Sequence, residues 1–179
     1  MNTTVIIQGS SKSNGNTNRV VRFLNKNNDF DVIDLKTKKI GSFEYDFSNA
    51  NDDFIPLMDS IIKKYDTIIF ATPVYWYSMS GTLKTFFDRM SDLLHYKKEL
   101  GRLMRGKNMA MISNSGENDL KKGYTMPFTE SAKYLGMNYL GDTHTWFTKD
   151  GTEIHSDAKN NINDFRTCFI KNTTCKIEN

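Results

Sequence analysis

Short apolar runs alternate with longer amphipathic stretches along the chain, and most of the runs are rich in β-branched residues. Thr3-Thr4-Val5-Ile6-Ile7 predicts a buried strand that ends in Gln8-Gly9-Ser10. The polar loop 10–15 leads into a helix from about Asn16 to Lys26, with Val20, Phe23 and Leu24 on one face. Asp31 to Leu35 predicts a second strand, and the polar stretch 36–52 a loop. Asp52-Asp53 is placed to cap a helix carrying Ile55, Leu57, Met58, Ile61 and Ile62. Thr67 to Ala71 is the clearest strand of the chain. A helix from Ser80 to about Leu94 turns Leu83, Phe86, Phe87, Met90 and Leu94 inward. Asn108 to Ser113 predicts strand four, and a helix beginning at Lys121 or Thr125 runs to about Leu135. Met137 to Leu140, or as far as Trp146, predicts strand five. The last helix spans Asp157 to Lys171, with Ile162, Phe165 and Phe169 in register.

Strand and helix alternate five times, which predicts an α/β fold with a parallel sheet covered on both faces. Five strands fit the flavodoxin-like order 2-1-3-4-5 better than a six-stranded dinucleotide sheet. No fixed-period repeat or linker divides the 179 residues, so one domain over 1–179 is expected. The charged segment 97–107 reads as a connection. The 24 Lys+Arg and 21 Asp+Glu are interspersed, so no basic stripe points to nucleic acid. The N-terminus has no basic n-region, and no stretch approaches the roughly 20 apolar residues of a membrane span. A cytoplasmic protein without a membrane partner is expected. Cys168 and Cys175 form no metal-spaced cluster and no disulfide framework, and read as incidental thiols.

In a sheet of this order the ligand crevice lies at the carboxyl ends of the strands, beside strand one. The loop there is Gly9-Ser10-Ser11-Lys12-Ser13-Asn14-Gly15-Asn16-Thr17-Asn18. Small side chains and two glycines let backbone N–H groups turn around an anion, and the following helix N-terminus adds partial positive charge. Neither a Walker A ending nor Gly-x-Gly-x-x-Gly is present, which suits a single phosphate held by hydrogen bonds. Arg19, a cation in the first helical turn, is consistent with an anion there. An ordinary polar turn capped by Asn or Thr explains this loop equally well. The loop after strand three reads Ala71-Thr72-Pro73-Val74-Tyr75-Trp76-Tyr77-Ser78-Met79-Ser80-Gly81. Three consecutive aromatics cannot all point inward, so apolar surface remains at the rim, as a flat ring ligand would require. A dimer contact or a local cluster is the competing reading. The loop after strand four, Ser113-Asn114-Ser115-Gly116-Glu117-Asn118, is small and polar, and taken alone is a plain turn.

Residues 9–17 resemble the phosphate loop of the NAD(P)H-dependent FMN reductase and quinone reductase group of the flavodoxin-like fold. Asp66 to Trp76, followed by Gly81-x-Leu83-Lys84-x-x-x-Asp88-Arg89, resembles the second signature of the same group. The likeness spans roughly Val5 to Gly116 and implies an FMN cofactor with NADH or NADPH as co-substrate, in a homodimer or dimer of dimers. By position it assigns Ser10, Ser11, Ser13, Asn16, Thr17 and Asn18 to the FMN phosphate. Pro73, Val74, Tyr75 and Trp76 would line the isoalloxazine, and Ser113, Asn114, Ser115 and Gly116 would close its other side. Lys84, Asp88 and Arg89 lie on the following helix and read as an ion pair or a dimer contact. Some relatives, the iron–sulfur flavoproteins, carry a cysteine motif before the second helix. Residues 40–53 hold no cysteine here, which excludes such a cluster.

The implied chemistry is hydride transfer from NAD(P)H to flavin N5 and on to a quinone, an azo or nitro compound or free flavin, in ping-pong order. No side chain need act as acid or base. His144, near the end of strand five, could assist proton delivery, although a surface or core histidine is the plainer reading. Two alternatives remain: a flavodoxin-type electron carrier without its own NAD(P)H turnover, and a non-enzymatic protein on the same fold.

Overall fold

The computed structural model describes residues 3–170. Strands β1 (Thr4–Gln8), β2 (Asp31–Asp34), β3 (Thr67–Pro73), β4 (Asn108–Ser115) and β5 (Asn138–Trp146) form one sheet. Its order is β2-β1-β3-β4-β5 and every pairing is parallel. The helices are α1 (Asn16–Leu24), α2 (Phe54–Lys64), α3 (Gly81–Asp88), α4 (Met90–His95), α5 (Lys98–Arg102), α6 (Met126–Leu135) and α7 (Ser156–Ile170). This is the expected flavodoxin-like architecture.

The buried strands explain why both faces are covered. Val5 and Ile7 of β1, Ile68 and Phe70 of β3, and Met109 and Met111 of β4 pack with α2, α3, α4 and α6. Their neighbours Ile6, Ile69, Ala71, Ala110 and Ile112 point the other way and pack with α1 and α7. The two-residue repeat of the strand thus splits each apolar run into two half-cores.

Three details depart from the sequence reading. The helix predicted over 80–94 breaks at Arg89 into α3 and α4. Arg89 is buried and forms ion pairs with Asp52 at 2.5 Å and Asp92 at 2.8 Å. It also donates to the carbonyls of Gly41 and Asn49, tying down the long β2–α2 loop. Lys84 and Asp88 form an exposed i,i+4 pair, as that part of the motif suggested. The segment 97–107 contains the short helix α5, whose Gly101 lies so close to the carbonyl of Leu93 that no Cβ fits. Lastly, Cys168 is disulfide-bonded, where an incidental thiol was expected, and Cys175 lies outside the described residues.

Strand β5 carries one extra residue against β4. Met109 pairs with Tyr139, but Met111 pairs with Asp142. Gly141 sits at the bulge with φ +122°, a backbone state that favours glycine. The insertion reverses the facing of every later β5 side chain and sets His144 beside Ser113.

Candidate active site

The three loops at the carboxyl ends of β1, β3 and β4 converge on one cleft of about 400 Å³. Of the residues expected at a cofactor site, Ser10, Asn16, Thr17, Pro73, Val74, Tyr75, Asn114, Ser115 and Gly116 line it. Lys12 and Gly15 line it too, and the sequence reading assigned neither. A cation two residues after a phosphate-loop serine was a signal that could have found Lys12.

One end of this cleft carries positive charge. Gly15 caps α1 in extended backbone, no side chain caps that turn, and the turn holds no acidic residue. The first N–H groups of a helix have no partner within it, and they carry partial positive charge. Lys12 adds a full charge beside them. Beneath the loop, the buried Gln8 side chain donates to the carbonyl of Ser13 at 3.0 Å and accepts from Asn18 at 3.1 Å. Asn18 and Ser13 thus hold the loop from below, while the Ser11 side chain is exposed at its tip. The Thr17 hydroxyl donates to Asn114 Oδ1 at 2.8 Å, joining the first loop to the third inside the protein. Arg19 donates to Asn16 Oδ1 at 3.2 Å but otherwise turns from the cleft. It reaches the carbonyls of Gly151 and Thr152 and lies over the Phe147 ring.

The opposite wall comes from the β3 loop. Ser80 explains its entry angle: its hydroxyl donates to the Gly9 carbonyl at 2.6 Å and accepts from the Leu83 N–H, capping α3. Tyr75 and Ser78 exchange backbone hydrogen bonds of 2.9 and 3.0 Å around Trp76 and Tyr77. Both central residues have positive φ, +48° and +61°. That pattern normally calls for Asn-Gly, and two aromatic residues there store about 1–2 kcal/mol each. The turn holds Trp76 almost wholly in solvent, 94% exposed, beside Tyr77 at 66%. Trp76 lies outside the main cleft and lines an adjoining pocket of about 290 Å³ with Val74, Tyr77, Ser115, Leu120 and Tyr124.

Ser113 is fully buried and faces β5 rather than the cleft. Its hydroxyl lies 2.9 Å from His144 Nδ1, and Ser115 Oγ lies 3.0 Å from Nε2. Nε2 is also 3.1 Å from the Glu117 carbonyl, which can only accept. The ring is therefore the Nε2–H tautomer, with Nδ1 accepting from Ser113. Burial pushes the His144 pKa below its usual value, against weaker opposing effects of the Glu117 carbonyl and Asp119. His144 is thus neutral near pH 7 and clamps the β4 loop from behind. Because the unfolded state takes up the proton first, stability should fall as pH drops below about 6.5 and through the lower folded pKa. Urea midpoints at pH 7.5 and 5 should therefore differ more for this protein than for His144→Gln; equal differences would reject the clamp.

Comparison with known proteins decides the family. The model of the family described as NADPH-dependent FMN reductase matches residues 2–151. The chain belongs to the NADPH-dependent FMN reductase family. Within and around this family, YwqN of Bacillus subtilis (strain 168), whose name describes an NAD(P)H-dependent FMN-containing oxidoreductase, is 33% identical over 146 residues. That match covers 76% of this chain and 80% of YwqN. FMN-dependent NADH:quinone oxidoreductase 2 of Colwellia psychrerythraea (strain 34H / ATCC BAA-681) is 26% identical, covering 64% of this chain and 61% of that protein. Among solved structures, the Trp repressor binding protein from Bacillus subtilis superimposes with a TM-score of 0.72 at 24% identity, covering 95% of this chain and 99% of that one. General stress protein 14 from Treponema denticola, solved in complex with FMN, gives a TM-score of 0.65 at 15% identity over 96% of this chain and 99% of that one. At these identities the structural matches establish the fold. The reductase family is an enzyme family, and among the described residues no helix is long and apolar enough to cross a membrane.

Proposed function

We propose that the chain is an FMN-dependent oxidoreductase that passes a hydride from NADH or NADPH to a quinone, azo or nitro acceptor in ping-pong order. The observation that carries this reading is the convergence of the three loops on one cleft with an anion-binding end and an aromatic end. The residues fit FMN. The first turn of α1, Ser10 and Lys12 would take the phosphate, Val74 and Tyr75 would flank the ring, and Asn114 to Gly116 would meet its polar edge. FMN supplies two-electron redox chemistry when bound. The protein's part is to hold the ring by its phosphate, brace the loop of Asn114 through Thr17 and His144, and leave one face open. No side chain is required as an acid or base.

A colourless preparation that takes up no FMN would overturn the reading. Bound flavin without NAD(P)H oxidation in the presence of a quinone would make the chain a carrier instead. Trp76→Ala should lower turnover with a bulky quinone more than it weakens FMN, because a stacked aromatic acceptor gains about 0.5–1.5 kcal/mol there. Unchanged quinone kinetics with lost flavin binding would place Trp76 in the cofactor wall.

A homodimer or dimer of dimers is part of the proposal, on only part of the apolar surface the sequence suggested. Met79 and Phe86 are buried within the protomer and offer nothing to a partner. The apolar surface that supports it is Trp76 and Tyr77 at the loop, and Tyr134 beside a groove of about 600 Å³ between α4 and α6.

A further inference from the structure

Two cavities continue from the cofactor cleft. The pocket of about 290 Å³ adjoins the cleft and shares Val74 and Ser115 with it. A larger cavity of about 620 Å³ adjoins that pocket in turn and shares Leu120 and Lys121. The three cavities form a series around the β4–α6 loop: cleft, aromatic pocket, polar cavity. The polar cavity is within the range of about 300–1,000 Å³ typical of small-molecule sites.

Its chemistry changes from one end to the other. At the junction stands Lys121, and Lys122 follows it on the wall of the polar cavity; both are exposed. Lys121 is already paired with Asp119 at 3.2 Å. Away from that junction the cavity is lined by the half-buried Asp142 of β5 and the exposed Asn161 and Asp164 of α7. Asp142 is half-buried and accepts from the Tyr139 hydroxyl at 2.9 Å. Among the described ion pairs it has no cationic partner. Such a carboxylate suits hydroxyl or amino donors of a ligand, as acidic residues do at the ribose of dinucleotides. The neutral His144 ring closes the side nearest the cleft. A ligand matching this series has a flat ring at the aromatic end, an anionic middle at the lysines and a donor-rich end at the carboxylates.

We propose that the polar cavity binds the ADP moiety of the nicotinamide coenzyme, with the pyrophosphate crossing at Lys121 and Lys122. The inference rests on the FMN oxidoreductase reading. It places the nicotinamide in the aromatic pocket lined by Trp76, Tyr77 and Tyr124, beside the cleft. Lys122 holds the anion without touching the hydride-transfer site, and Asp142 takes donors of the nucleoside.

Calorimetric titration of the FMN-loaded protein with ADP and with 2′-phospho-ADP tests the site without turnover. One of the two should bind, and Lys122→Glu should weaken it at least about tenfold, since a hydrogen bond to a charged group is worth about 1.5–3 kcal/mol. The tighter of the two identifies NADH or NADPH as the coenzyme. Absence of binding by both at millimolar concentration overturns the proposal. In steady-state assays, Lys122→Glu should raise KM for NAD(P)H about tenfold or more. It should leave turnover of 1-benzyl-1,4-dihydronicotinamide, which lacks the ADP moiety, unchanged. A KM for NAD(P)H that does not move, or equal losses with both donors, overturns it as well. Failure of the unaltered, FMN-loaded protein to oxidise either donor would count against the oxidoreductase reading, while the titration still decides whether the cavity binds ADP.

Discussion

FMN should bind at least about a hundredfold more tightly than riboflavin. The difference between the two ligands is the phosphate, and the structure offers it the uncapped first turn of α1 with Lys12 beside it. Two charge-assisted hydrogen bonds of about 1.5 kcal/mol each amount to about 3 kcal/mol, or slightly more than a hundredfold. Titration of each flavin by fluorescence quenching gives the ratio directly. Equal affinities would mean that the first loop holds something other than a phosphate. Thr17→Val should act in a second way. The Thr17 proton is committed to Asn114 in the protein interior, so the change leaves a buried carbonyl oxygen without its donor. A stability loss of about 1–3 kcal/mol should accompany any weakening of FMN.

Arg89→Met should lower the free energy of unfolding by about 3–5 kcal/mol. Two buried or partly buried carboxylates, Asp92 and Asp52, would lose their cation, and removing one member of a buried pair costs about that much. The carbonyls of Gly41 and Asn49 would lose a donor as well. Urea unfolding at pH 7 measures the loss. Arg89→Met combined with Asp92→Leu should recover part of it, and a single change of under 1 kcal/mol would show that the carboxylates find water. The pair also has a pH signature. Burial pushes the Asp52 carboxyl up, but Arg89 and the N–H groups of Phe54 and Gly41 outweigh it and hold the pKa below the usual carboxylate value. Its contribution is therefore present above the unfolded pKa near 4 and is lost as pH falls through the lower folded value.

The sheet was legible because five β-branched or apolar runs stand between amphipathic stretches, and parallel order follows from that alternation. The break at Arg89 was not legible. Leu83, Phe86, Phe87, Met90 and Leu94 keep helical spacing straight through it, and the cause is a tertiary ion pair to a loop some 40 residues away. The bulge at Gly141 was hidden for a related reason: an extra residue in an edge strand changes which face His144 occupies without disturbing the apolar pattern. At the site, the loops could be named from the sequence, but not the direction of each side chain. Ser113 faces His144, Asn18 faces Gln8, and Trp76 stands on a turn whose positive φ values no residue preference would suggest. Gln8 was the neglected sign, because a polar residue ending a fully buried strand has to find partners inside the protein.

The strand order also governs how the chain meets the cell's synthesis machinery. β1 lies between β2 and β3, and the β3 partner follows it by roughly 60 residues. At about 5–20 residues per second, that separation corresponds to roughly 3–12 s of elongation. During that interval Val5, Ile6 and Ile7, none of which keeps any exposure in the finished protein, have at most the short edge strand β2 for company. Nascent chains of this protein should therefore depend on chaperone shielding until Thr67–Pro73 emerges, and translation pauses placed before β3 should lower soluble yield more than pauses placed after it.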